Sequence, residues 1–85
     1  MQKVAFFLEG IDKKGLSFNL DNPDEIFFKE SLEACINAFA KKNKLTVLSV
    51  EPLNSADSYR VFLTKKEGSI FSRKERTFIY YVKIL

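Results

Sequence analysis

The segment best equipped to bind a partner is KKEGSIFSRKER, residues 65–76, in which basic residues lie on both sides of Ile70 and Phe71. Lysine and arginine neutralise phosphates, and exposed aromatic rings stack on bases, so this composition is typical of surfaces that bind single-stranded nucleic acid. The same pattern also fits a hairpin whose apolar residues pack against protein. Which interpretation holds depends on the strands that carry these residues.

A turn signal, Lys66-Glu67-Gly68, lies inside this segment and predicts that residues 69–72 fold back antiparallel along residues 59–64. Successive side chains of a strand point to opposite faces of the sheet. If the odd-numbered residues of the first strand face a helix, Arg60 and Phe62 therefore face away from it.

The length of the loop decides which residues lie opposite each other in this hairpin. A loop of four residues pairs Phe62 with Phe71 and Arg60 with Arg73, whereas a loop of three exchanges the faces of the returning segment and brings Lys74 outward. In either register the outward face combines an apolar patch with positive charge. The predicted binding residues are Arg60, Phe62, Phe71, Arg73 and Lys74.

Charge is unevenly distributed along the chain. Residues 1–40 contain four lysines and seven acids, a net charge of −3, and residues 41–85 contain ten basic and four acidic residues, a net charge of +6. A basic half attracts polyanions, and two oppositely charged halves also complement each other in neighbouring subunits. The asymmetry therefore agrees with a nucleic-acid partner and with self-association.

Residues suited to catalysis are scarce. The chain of 85 residues has no histidine, one cysteine and three glycines. This removes the commonest general base, leaves zinc sites almost without ligands, and provides no glycine-rich phosphate loop. The one cysteine, Cys35, lies in an apolar stripe where a small core residue is expected. We therefore expect no enzymatic activity, no cofactor, no metal site and no small-molecule substrate.

The composition is that of a folded protein without a membrane-spanning segment. Hydrophobic residues make up 46% of the chain and aromatic residues 14%, which is sufficient for one small domain covering residues 1–85. No stretch approaches the roughly 20 apolar residues of a membrane-spanning helix, and the first residues lack a signal-peptide pattern. We expect a cytoplasmic protein with no membrane partner.

Two strands are predicted at the start of the chain. Residues Gln2–Leu8 are apolar at nearly every position, which is typical of a strand covered on both faces. Residues Asp12–Gly15 have the composition of a type I turn that closes on a glycine with positive φ. Residues Leu16–Leu20 alternate apolar and polar side chains, which predicts a second strand paired with the first.

A helix is predicted next. The segment Asn22-Pro23-Asp24-Glu25 combines a favoured N-cap, a proline suited to the first turn and a glutamate that can bond back to the cap. We therefore predict a helix from Pro23 to about Lys42. An alternative makes residues 25–30 a third strand, because their apolar residues are strand-like, and begins a shorter helix at Ser31.

The rest of the chain is predicted to be strands, at residues 45–53, 59–64 and 77–85. The order β-β-α-β-β-β predicts an α+β domain, an antiparallel sheet of four to five strands with one long helix packed on one face. The first and last strands are apolar on both faces, so they should be central.

One helix can cover only one face of such a sheet, yet apolar residues occur at both parities of several strands, among them Ala5, Phe7, Phe62 and Tyr81. Large exposed apolar patches are rare on soluble monomers, so a second chain is the expected cover. We predict an interaction module that acts through the helix-free face as a homodimer or with another protein. The alternative is binding of RNA or single-stranded DNA through the basic, aromatic C-terminal hairpin.

Overall fold

The computed structural model describes the backbone of residues 1–69 and 72–85, and the side chains of these residues outside 66–74. The chain is an antiparallel sheet with one helix packed on it, so the predicted α+β class is confirmed. Its elements in chain order are β1 (Gln2–Ile11), β2 (Lys14–Gly15), β3 (Glu25–Lys29), α1 (Leu32–Lys42), β4 (Thr46–Pro52), β5 (Ser58–Ser69) and β6 (Ser72–Ile84).

The strands lie in the order β2-β1-β6-β5-β4, and β3 pairs with β1 on the same side as β2. Every pairing is antiparallel. The first and last strands, β1 and β6, are central, as predicted from their apolar residues on both faces. Helix α1 has 11 residues, and no helix in the described ranges is long and apolar enough to cross a bilayer.

The predicted helix start at Pro23 is wrong, and the alternative is confirmed. Strand β3 pairs with β1 from Gln2 opposite Lys29 to Phe6 opposite Glu25. The helix begins after Ser31, whose hydroxyl accepts a hydrogen bond of 3.1 Å from the Ala34 amide. Pairing with β1 satisfies alternate backbone groups of β3 and packs Phe27 against the core, and this outweighs the capping signal further upstream.

The predicted second strand at Leu16–Leu20 is also wrong. Strand β2 has only two residues, which pair across a tight turn as Gly10 with Gly15 and Ile11 with Lys14. The positive φ that the turn requires, 55°, occurs at Asp12 rather than at the glycine. The Asp12 carboxylate accepts a hydrogen bond of 2.9 Å from the Thr77 amide, which ties the turn to β6.

The C-terminal hairpin is longer than predicted. The turn expected at residues 66–68 lies within β5, and the register pairs Phe62 with Ile79 and Arg60 with Tyr81. The predicted pairs of Phe62 with Phe71 and of Arg60 with Arg73 are therefore wrong. A ladder that continues from Ser58 to Ser69 forms more backbone hydrogen bonds than one that stops at a turn after residue 65.

The main core lies between the helix and the sheet. Phe6 stacks on Phe39 with ring centroids 4.2 Å apart, and Cys35 is fully buried beside them. The odd-numbered residues of β5 face the helix as predicted, since Val61 and Leu63 are fully buried in this core. The Cys35 thiol donates to the backbone oxygens of Gln2 and Phe27, and burial raises the pKa of this thiol.

Candidate interaction surface on the helix-free face

The side of the sheet opposite α1 is named here the helix-free face. Strand alternation assigns residues to it, because Val4 and Phe6 of β1 point into the helix-side core and their odd-numbered neighbours point the other way. The side chains on this face include Phe7, Ile26, Phe28, Arg60, Phe62 and Tyr81.

The chain itself covers the centre of this face. The connection between β2 and β3, residues 16–24, places Phe18 over Phe7 and Tyr81, with centroid distances of 5.6 Å to each ring. Phe7 is 1% exposed beneath it, whereas Phe18 itself is 40% exposed. The expectation that only another chain could cover the apolar residues here is therefore wrong for Phe7.

Hydrogen bonds at both ends hold this connection against β1. The Leu16 amide donates to the backbone oxygen of Glu9 at 2.8 Å, and the Asp24 amide donates to the backbone oxygen of Phe6 at 2.9 Å. The Asp24 carboxylate in turn accepts a bond of 2.6 Å from the Leu8 amide. The segment thus fills the gap between β2 and β3 along one side of β1, and this position carries Phe18 over the sheet.

Beyond this cover the helix-free face exposes large apolar side chains near strand β3. Ile26 is 46% exposed and Phe28 is 60% exposed, while Phe27 between them packs in the core against Phe6 and Phe39. Leu20, in the covering segment, is 53% exposed. Sequence reasoning missed Ile26 and Phe28 as surface residues because the preferred interpretation placed them on a helix. The signal for them was the strand-like apolar run Ile26-Phe27-Phe28, on which the alternative with a third strand was based.

Arg60 is not available as a simple positive charge. Its guanidinium donates two hydrogen bonds to the Glu9 carboxylate, at 2.7 and 3.2 Å. These hydrogen bonds raise the pKa of Arg60 above its ordinary value. Glu9 reaches across β6 because it is the extra residue of a β-bulge between Leu8 and Gly10. The ion pair therefore lies across β6 on the helix-free face, and the Glu9 carboxylate offsets the positive charge of Arg60 that was predicted to contact a partner.

Of the predicted binding residues, the structure brings Arg60 and Phe62 together on the helix-free face. Both line a shallow pocket of 390 Å³ whose other walls include Ile79 and the turn after β1. Phe71 lies outside the described residues. The backbones of Arg73 and Lys74 pair with residues 68 and 67 of β5, and their side chains lie outside the described residues.

A second depression lies on the other side of the sheet. It is a groove of 360 Å³ between α1 and β4, lined by Leu32, Ile36, Val47 and Val50 together with two polar helix residues. Among the described residues, no group of three histidine, cysteine or acidic side chains lies close enough to hold a metal ion. The groove is lined mainly by apolar side chains.

Comparisons of the chain with protein-family models, with curated proteins and with solved structures found no match. The functional argument therefore depends on the surface itself. That surface contains an aromatic cluster in which Phe18 covers Phe7 and Tyr81, an ion pair that neutralises Arg60, and exposed apolar side chains of β3.

Proposed function

We propose that the chain is a small non-enzymatic interaction module that contacts another protein chain through its helix-free face. The observation that carries this proposal is the exposure of Ile26 and Phe28 on that face; Leu20, in the covering segment, is exposed as well. Adjacent large apolar side chains that remain half exposed in a folded domain mark a surface that another chain covers.

The ion pair of Arg60 weakens the case for a nucleic-acid contact at the centre of this face, and the other cations that strand alternation places on it among the described residues are Lys3 and Lys83. Phosphate contacts require arginines and lysines that are not already neutralised, and Arg60 forms a two-bond ion pair with Glu9. The net charge of +6 in residues 41–85 supports the alternative, binding of RNA or single-stranded DNA by the C-terminal hairpin. Salt separates the two functions, because phosphate-led binding weakens steeply as salt rises and apolar contacts do not.

The test places a photo-cross-linking amino acid at Leu20 and, as a control, at the exposed Lys41 of α1. We expect a discrete protein adduct in cells from position 20 and none from position 41. We also expect Phe28→Glu to abolish that adduct, because burial of a charge in an apolar contact is strongly unfavourable.

Titration with random-sequence single-stranded RNA and DNA completes this test. At physiological salt, we expect Phe28→Glu to leave any binding of these oligonucleotides unchanged. Absence of an adduct at position 20, together with salt-sensitive oligonucleotide binding, would overturn the proposal and support the nucleic-acid alternative. An adduct that survives Phe28→Glu would also contradict it, since the contact would then lie elsewhere.

A further inference from the structure

The two outer strands β3 and β4 present very different free edges. Strand β4 contains a β-bulge at Leu48 and ends at Pro52, which has no amide hydrogen. Bulges and prolines are common means of preventing edge strands from pairing with other chains. Strand β3 has the sequence EIFFK, pairs with β1 without a register shift, and contains neither proline nor glycine. The edge of β3 therefore lacks the features that protect β4.

The hydrogen-bond pattern shows which backbone groups lie on this edge. The backbone oxygen of Lys3 accepts a bond of 2.8 Å from the Leu85 amide. The amide and carbonyl groups of Lys3, and of every second residue of β1 counted from it, therefore point towards β6. The remaining residues, Val4 and Phe6 among them, point towards β3. In the antiparallel register, their partners Phe27 and Glu25 point back towards β1.

The amide and carbonyl groups of Ile26 and Phe28 consequently point away from β1. In the part of the chain that the structure describes, β3 pairs with no strand other than β1. The edge thus offers two donors and two acceptors in a straight extended segment, which is the arrangement that another strand can join.

We propose that a second copy of this chain pairs antiparallel with β3, about a two-fold axis at Phe27. In this register Ile26 lies opposite Phe28 of the second copy, and their outward groups form four hydrogen bonds across the two-fold axis. Glu25 lies opposite Lys29 of the second copy, and this pair also occurs twice; the Glu25 carboxylate, which already bonds to Lys42 and Asn43 of its own chain, would be shared with that lysine. The sequence EIFFK is therefore complementary to itself in both charge and apolar character.

Other registers fit less well. Outward backbone groups of the two copies meet only in registers where Ile26 or Phe28 of one copy lies opposite Ile26 or Phe28 of the other. Two registers besides the one centred on Phe27 meet this condition. A shift in one direction places Glu25 opposite Phe27, and a shift in the other places Lys29 opposite Phe27. Each loses both ion pairs, so the register centred on Phe27 is the favoured one.

The helix flank above β3 permits close approach of two copies. Lys42 lies on this flank, since its ammonium group bonds to Glu25 at 2.5 Å. Residues four apart lie on the same side of a helix, which places Ala38 and Ala34 on this flank as well. Small side chains there leave room for the corresponding helix of the second copy, so the pairing of strands does not push the helices together.

This inference goes beyond the proposed function, because it concerns the edge of the sheet and stands even if the helix-free face binds nothing. It also has a consequence for that face. The two β3 strands would lie side by side, so that Ile26 and Phe28 of both copies form one apolar surface twice as large as in a single chain.

The experiment measures the oligomeric state of the full chain by light scattering across a concentration series, and amide hydrogen exchange by NMR. We expect a dimer, with the Ile26 and Phe28 amides gaining protection as concentration rises. The Val50 amide is the internal control, because it points outward from the free edge of β4. It should remain in fast exchange at every concentration.

Substitutions test the hydrogen bonds and charges separately. Phe28→Pro removes an outward amide that β1 does not use, so two bonds of the dimer are lost and the dissociation constant should rise roughly thirtyfold. The matched control, Phe28→Thr, also removes the aromatic ring but keeps the amide, and should weaken the dimer less. Lys29→Glu opposes like charges twice and should weaken it several-fold, more strongly at low salt.

Three results would overturn this inference. The first is a chain that stays monomeric with fast exchange at Ile26 and Phe28. The second is a dimer that weakens equally with Phe28→Pro and Phe28→Thr. The third is a dimer that is lost with Phe62→Glu but kept with Phe28→Pro, which would place self-association on the helix-free face. If Phe28→Pro fails to fold, the exchange data and Lys29→Glu still decide.

Discussion

The two faces of the sheet are closed in different ways. On the helix side, Phe6, Phe39 and Val61 are fully buried in a continuous core. On the helix-free face, one loop residue, Phe18, covers Phe7 and Tyr81, and the apolar side chains of β3 remain half exposed. Helix α1 packs on one side of the six-stranded sheet, so it leaves the other side uncovered. With 11 residues it is about 16 Å long.

The comparison shows that apolar residues on both faces of a strand do not by themselves require a partner chain. The connection between β2 and β3 is polar at Ser17, Asn19 and Asp21, yet it supplies the aromatic ring that covers the middle of the second face. Among the described residues of this face, Ile26 and Phe28 of β3 remain exposed where this connection does not cover them. The candidate surface therefore lies at β3, on the opposite side of the sheet's centre from the predicted binding residues Arg60 and Phe62.

The largest expected effect is on the helix side. Phe39→Ala removes a ring that stacks on Phe6 at 4.2 Å and meets Tyr80 at 4.7 Å. We expect the free energy of unfolding to fall by about 3–5 kcal/mol, because a fully buried aromatic side chain leaves a cavity. Urea denaturation measures this. The control is Leu85→Ala at an exposed position, and equal losses in the two variants would contradict the described core.

A smaller effect is expected on the helix-free face. Phe18→Ala removes the cover from Phe7 and Tyr81, and should lower the free energy of unfolding by roughly 1–2 kcal/mol, since Phe18 is only partly buried. The variant should also bind an apolar fluorescent dye that the wild type does not bind. Leu20→Ala, in the same segment, is the matched control. A dye response in the control but not in Phe18→Ala would show that Phe18 is not the cover.

The sequence predicted the parts of the fold that depend on burial, and failed where local signals competed with pairing. The central positions of β1 and β6 followed from apolar residues on both faces. The segment Asn22–Glu25 has the composition of a helix start, but its neighbours Ile26–Phe28 gain more from pairing with β1. Local propensity and tertiary pairing disagreed there, and pairing decided the structure.

The candidate site was less predictable than the fold, because it depends on register. The ladder between β5 and β6 contains many polar residues, which pair almost equally well in several registers, so the sequence did not determine the partners of Phe62 and Arg60. The ion pair of Arg60 with Glu9 joins residues 51 positions apart and requires a bulge in β1. Neither the bulge nor the pair has a signal in the sequence.

The smallest expected effect concerns this ion pair. It distinguishes an electrostatic interaction on the helix-free face from the apolar packing that stabilises the core. The side chains of Arg60 and Glu9 are 40% and 24% exposed, so solvent screens their attraction. A double-mutant cycle of Glu9→Gln, Arg60→Gln and both together should give a coupling energy of about 0.2–1 kcal/mol. The coupling should decrease as salt rises, whereas the loss in Phe39→Ala should not.

The same cycle tests the assignment of Arg60. Glu9→Gln leaves the arginine without its carboxylate, so a chain that binds nucleic acid through this face should bind RNA more tightly after the change. We expect no such gain, because the proposed contact is apolar and lies near β3. If Glu9→Gln alone creates salt-sensitive RNA binding that Arg60→Gln abolishes, the ion pair would be an internal block on a phosphate site, and the two faces would differ in function as well as in packing.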